Sequence, residues 1–216
     1  MNNPNSLIHP VIAIGRSFGA GGRELGVELS ERLGISYYDK ELLKQAASRS
    51  GLHHGLFEIN DERAPGLFAG LLPISMSYNV MSWYGGGGGA FGGEAVYTAQ
   101  SEFIHSVAQA EPCVIVGRTA DYVLRDYPGL VSVFLHAPEE DCVARIMRRS
   151  DCHTEAEARQ ILRRTNRLRA DFYHFYTGRA WGAAESYDLT FDSSKISIPD
   201  IAALVVEYMR RRGLDV

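Results

Sequence analysis

The sequence predicts an α/β fold, a parallel sheet covered by helices on both faces. Five short apolar segments recur along the chain, at 11–14, 34–39, 113–116, 131–136 and 187–192. Stretches of helical periodicity alternate with them, as the crossovers of a parallel sheet require. A glycine-rich turn joins the first strand to the first helix. In an open sheet of this kind such a turn lies where ligands gather, at the carboxyl ends of the strands.

The 216 residues suit one domain with an inserted subdomain, or at most two small ones. With 45% hydrophobic and 22% charged residues the chain can bury a sizeable core. A net charge of −4 argues against a general nucleic-acid binder. Three cysteines, Cys113, Cys142 and Cys152, make no disulfide framework, and reduced thiols are expected. No basic, apolar leader and no spanning segment stands out, so we expect a cytoplasmic protein without a membrane partner.

The first strand, Val11-Ile12-Ala13-Ile14, is apolar throughout and β-branched at three positions. Gly15-Arg16-Ser17-Phe18-Gly19-Ala20-Gly21-Gly22-Arg23-Glu24 follows, and then Leu25, Leu29 and Leu33 repeat at helical spacing up to Gly34, a natural C-cap. Strand, glycine turn and helix together make a phosphate cradle: glycines let N–H groups approach an anion, and the helix N-terminus adds partial positive charge. The common pattern G-x-x-x-x-G-K-[ST] is not met. Counted from Gly15, the pattern's glycine, lysine and hydroxyl places hold Ala20, Gly21 and Gly22; anchored on Gly19-Ala20-Gly21 instead, Gly22 takes the lysine place and Arg23 follows. Arg23 or Arg16 could supply the missing cation with a broader, forked head.

Asp39 ends the second strand, placed to accept a proton, hold a metal-bound water or grip a hydroxyl; equally, it can cap a helix starting at Lys40. His53-His54 has no further ligand at metal spacing. The run Gly85–Gly89, with Gly92-Gly93, reads as a flexible tip or hinge. Met76, Tyr78, Met81, Trp83, Tyr84 and Phe91 around it make a mobile flap, an oligomer contact as in a homodimer, or a plain surface loop. A helix is expected over 94–110, closed by Pro112. Cys113–Val116 is the third strand, and Arg118 just past it carries a planar fork suited to phosphate or carboxylate.

After the fourth strand, Pro138 at a first helical position and Glu139, Glu140 and Asp141 start a helix ending in Arg145, Arg148 and Arg149. A break at 150–153 precedes a capping box, Thr154 to Glu157. The next helix aligns Arg159, Arg163 and Arg167, with Arg164 and Arg169 nearby, and lacks acids enough to pair them all. Two such helices could close over polyphosphate. Tyr173, Phe175, Tyr176 and Trp181 read as core. A final strand and a helix from Ile198 to Arg212 complete the chain.

Gly15 to Leu25, Tyr37-Tyr38-Asp39, Cys113 to Arg118, Phe134 to Glu140, the arginine run to Arg169 and Tyr187-Asp188-Leu189 together resemble the cytidylate kinase-like branch of the P-loop nucleoside monophosphate kinases. The resemblance implies a single P-loop NTPase-type three-layer domain over 1–216: a five-stranded parallel sheet, a monophosphate-binding insertion over 51–100 and a helical lid over 145–170. It implies an ATP- and Mg2+-dependent phosphotransferase acting on a small nucleotide, CMP or dCMP by default. Gly15, Ser17, Gly19, Ala20, Gly21, Gly22, Arg23, Glu24, Arg145 and Arg148 would hold the ATP. Arg23, Asp39, Arg118, Arg164 and Arg169 would serve the transfer. The resemblance points to no metal-ligating residue. Departures from the branch are the missing loop lysine, Val116 where an aspartate precedes Gly-Arg, and Asn166 in place of an aspartate. A nucleotide sensor without turnover and a kinase of a non-nucleotide metabolite remain as alternatives.

Overall fold

The computed structural model describes residues 8–39, 90–149, 152 and 154–214. The chain divides into two compact units, Met1–Lys40 with Ile104–Val216, and Glu41–Phe103. In order the elements are β1 (Val11–Arg16), α1 (Gly22–Leu33), β2 (Ser36–Tyr38), α2 (Ala90–Ala110), β3 (Cys113–Val116), a short α3 (Ala120–Val123), β4 (Leu130–His136), α4 (Glu139–Arg148), α5 (Glu155–Thr177), β5 (Leu189–Asp192) and α6 (Ile198–Arg211). The helix expected at Lys40, His53-His54, Gly85–Gly89 and most of the 51–100 insertion lie outside the described residues. Helix α2 begins at Ala90, ahead of the expected 94, so Gly92 and Gly93 fall inside it.

The five strands are all parallel, in the order β2-β3-β1-β4-β5. Central position follows from sequence. Val11, Ile12, Ala13 and Ile14 are all buried, and alternate side chains face opposite sides of a sheet, so both faces of β1 are covered. Its neighbours match it: Ile12 registers with Val114 on one side and Val131 on the other. The edge strands β2 and β5 are only half-buried.

Ile12 and Ile14 share one core with Leu25 and Leu29 of α1, Val143 and Ile146 of α4, Ala158 and Leu162 of α5, and Ile201 and Val205 of α6. Gly34 closes α1 in the left-handed conformation, φ +66°, donating to Ser30 O. Thr154 caps α5 by accepting from the Glu157 N–H at 3.2 Å, and Ser197 caps α6 from Asp200. Pro138 is the N-cap of α4 rather than its first residue. The three cysteines are buried thiols with no disulfide between them.

The aromatic group near the end of α5 does not all enter the core. Tyr173 is buried, whereas Phe175 is 75% exposed. Two residues on a helix are about 200° apart, so both cannot share the inner face. Trp181 stands edge-on to Phe134, ring centroids 5.4 Å apart.

Candidate active site

The loop after β1 is shaped by hydrogen bonds from outside it. Ser17 N–H donates to Leu135 O at 2.9 Å, continuing the β1–β4 ladder. Phe18 N–H donates to Asn166 Oδ1 of α5 at 2.7 Å. Ala20 N–H turns back to Ser17 O at 3.2 Å. Gly21 then caps α1 at φ +92°, a conformation that costs other L residues about 1–2 kcal/mol. The first bond inside α1 is Leu25 N–H to Gly21 O, so the N–H groups of Gly22, Arg23 and Glu24 precede the ladder and point out of the helix N-terminus. The N–H groups of Ser17 and Ala20, two residues the resemblance assigns to the ATP, are hydrogen-bonded within the protein.

Carbonyls of the same loop are held by cations and a hydroxyl. Arg169 Nη1 donates to Arg16 O at 3.2 Å, its guanidinium 5.6 Å from the Phe18 ring centre. Arg145 Nη1 donates to Gly19 O at 2.7 Å and lies 3.3 Å from Ser193 Oγ. Ser193, buried just after β5, donates to Ala20 O at 2.7 Å. Arg145 and Arg169 thus touch the loop's backbone. Glu24 pairs with Arg149 and lies 4.0 Å from Arg145 Nε. Arg23 is exposed on α1, and Arg148 on the last turn of α4.

The ends of β1, β2 and β3 are neighbours in the sheet, and this brings Arg16, Asp39 and Arg118 to one edge. Tyr37 packs over Gly26 of α1, where an added Cβ would meet its Cε2 at 2.7 Å. Its hydroxyl donates to Asp39 Oδ2 at 3.4 Å. Burial raises the Tyr37 pKa, Asp39 raises it further, and Arg23 and Arg16 pull it down, so both cations lie within electrostatic reach of this phenol. Past β3, Gly117, Arg118 and Thr119 are all left-handed, at φ +82°, +61° and +53°. Ala120 N–H closes this turn onto Gly117 O at 3.2 Å, and Thr119 Oγ1 donates to Arg118 O at 2.6 Å. Two successive non-glycine residues in this region store roughly 1–2 kcal/mol each.

Two arginines of the α5 stripe, Arg159 and Arg163, are balanced across the helix pair. Arg159 binds Glu139, Glu140 and Glu155, and Arg163 binds Glu139 through Nε at 3.1 Å and Nη2 at 2.9 Å. The acids missing from α5 stand on the first turn of α4. Arg164 and Arg167 line a shallow groove on α5 with Gln160. Sequence reasoning missed Ser193 and the left-handed turn. Asn166, a departure from the branch, supplies a side-chain oxygen that accepts the Phe18 N–H.

Among the described residues no group of three or more His, Cys, Asp or Glu forms a metal cluster, and no helix is long and apolar enough to cross a membrane. A family model described as the cytidylate kinase-like family matches residues 11–195. No curated protein sequence matches the chain. Among solved structures, an uncharacterized protein from Eubacterium ventriosum superposes with a TM-score of 0.70 at 24% identity, covering 94% of this chain and 99% of that one. Shikimate kinase from Acinetobacter baumannii, in complex with shikimate, follows at 0.51 and 18%, covering 96% of each chain. A sugar kinase from Janibacter sp. HTCC2649 gives 0.50 and 12%, covering 96% of this chain and 99% of that one. These likenesses show the fold, a kinase-type P-loop fold.

Proposed function

The chain belongs to the cytidylate kinase-like family, and from that premise we propose that it transfers the γ-phosphoryl group of ATP to a nucleoside monophosphate, CMP or dCMP first. The observation that carries this is the convergence on one sheet edge of a braced glycine loop, Asp39 after β2 and Arg118 after β3. Phosphoryl transfer asks a protein mostly for positioning and for charge, and this edge offers both.

The N–H groups of Gly22, Arg23 and Glu24 face the polyphosphate, with Gly15, Gly19 and Gly21 giving the loop its path. Arg118 grips the acceptor phosphate and Asp39 orients the acceptor. Arg164 and Arg148, from the helices over 145–170, add charge when the nucleotide is bound, and Arg145 and Arg169 keep the loop in shape. Mg2+ binds through one or two carboxylates together with substrate phosphates, and Asp39, just after β2, would be a carboxylate to hold it. When bound, the ion neutralises charge on the phosphates.

The test is purified protein with Mg-ATP and a panel of nucleoside monophosphates, with diphosphate followed by chromatography. Turnover of CMP or dCMP that collapses in Asp39→Asn and Arg118→Ala is expected. Glycine at position 22 favours a second reading, a nucleotide sensor. Tight ATP binding with no acceptor consumed would replace the first reading by that one, or by a kinase of a non-nucleotide metabolite if such an acceptor turns over.

A further inference from the structure

A P-loop without its lysine needs another cation, and two arginines flank the glycines. Arg23 is exposed on the second residue of α1. Arg16 is different. A Cβ built on Gly22 would meet Arg16 Cγ at 2.6 Å and Cβ at 2.7 Å, closer than real Cβ atoms approach. The stem of Arg16 therefore fills the space in which a lysine at position 22 would begin. Its guanidinium runs on to Gly117, where an added Cβ would collide with Nη1. It lies against the turn that follows β3, where the Gly117 N–H bonds Ile14 O of β1. The Arg16 carbonyl is itself held by Arg169, which fixes where the stem departs.

We infer that Arg16 is the phosphate-binding cation of this loop, entering from the last residue of β1 instead of the first turn of α1. Gly22 is then the partner of Arg16: the residue that leaves room for it. The inference rests on the phosphotransferase reading above. The ligand class is a nucleoside triphosphate. The guanidinium offers a forked pair of donors to two phosphate oxygens, where a lysine offers one point charge.

Four proteins test it: wild type, Arg16→Ala, Arg23→Ala and the double variant Arg16→Ala with Gly22→Lys. Each is titrated with Mg-ATP and with AMP, and its melting temperature is followed. Arg16→Ala is expected to lose at least tenfold in ATP affinity, at least fivefold more than Arg23→Ala loses, with a much smaller loss for AMP. The double variant, with the stem's space vacated, is expected to recover ATP affinity at least threefold over Arg16→Ala. Equal losses for ATP and AMP, or a fall in melting temperature that accounts for the loss, would make Arg16 structural and overturn the inference. ATP binding kept in Arg16→Ala and lost in Arg23→Ala would hand the role to Arg23 and leave the phosphotransferase reading standing. Failure of the wild type to bind ATP would remove both.

Discussion

Asn166→Ala removes one atom that matters, the Oδ1 that accepts from Phe18 N–H at 2.7 Å. Both residues are half-buried, so water can partly replace the lost acceptor. A hydrogen bond of this kind is worth about 0.5–1.5 kcal/mol net, and a sealed orphan N–H costs about 1–3 kcal/mol. With partial access we expect about 1 kcal/mol, which lowers the melting temperature of a chain this size by roughly 2–4 °C. Loop and global stability are linked, because the bond joins residues 148 apart in sequence. If the loop must be re-formed before ATP binds, the same loss weakens ATP binding by about fivefold. Asn166→Asp separates the two effects. It keeps an oxygen acceptor and so the stability, but it adds negative charge beside the phosphates and weakens ATP. Urea unfolding and ATP titration of both variants are the assay. An Asn166→Ala protein with an unchanged urea midpoint and unchanged ATP affinity would refute the idea that α5 holds the loop.

Gly15→Ala would place a Cβ 2.8 Å from Phe134 Cδ2 and 3.0 Å from Tyr187 Cε1, both on packed rings. Overpacking of this sort costs about 1–3 kcal/mol, read as a lower urea midpoint. Asp121 accepts from Tyr173 Oη at 2.7 Å, and burial raises its pKa above 3.8. The native state therefore binds more protons than the unfolded one from pH 3.8 up to the raised value, and stability falls as pH climbs through that window. Asp121→Asn should flatten the fall, while parallel pH curves for the two proteins would contradict it. Glu139 and Glu140 are depressed below 4.5, first by hydrogen bonds from Arg163 and Arg159 respectively. Their contribution is present above pH 4.5 and is lost as pH drops through their native values, so the protection of α5 amides relative to their intrinsic exchange rates should fall in acid and in high salt, and do neither if the helix pair is held by apolar packing alone.

The strands and most helix ends were legible because each rests on local chemistry. Val11–Ile14 is apolar at every position, and Gly34 and Thr154 are capping residues in capping places. The site was legible in outline: the glycine loop, Asp39 and Arg118 all mark strand ends. Its inner wiring was not. Arg145 to Gly19 O spans 126 residues and Ser193 to Ala20 O spans 173, and no periodicity encodes such a contact. The surplus of arginine on α5 looked like ligand charge because the balancing acids lie on α4, 19 and 24 residues earlier in the Arg159–Glu140 and Arg163–Glu139 pairs. Phe175 was misplaced for a simpler reason: an aromatic residue two steps from a buried one on a helix points away from it.

The braces around the loop share one property that bears on the missing lysine. From residue 16 to residue 20 each reaches the main chain. Leu135 O and Asn166 Oδ1 take N–H groups, and Arg169, Arg145 and Ser193 hold carbonyls. The path of the loop is thereby fixed from β4, α4, α5 and the turn after β5, with little call on the loop's own side chains. A preorganised row of N–H groups stabilises charge without reorganising when that charge arrives. Under that constraint only the position of the cation's head matters, and its point of attachment is free to differ. Removing the side chain at position 22 and sending one from position 16 across the same gap keeps the charge in place while exchanging an ammonium for a fork. The exchange also ties the two ends of the loop together, since Arg16 now packs on Gly22 and reaches Gly117. A substitution at either glycine should thus act through Arg16, and a Gly22→Ala protein should weaken ATP more than it weakens the fold.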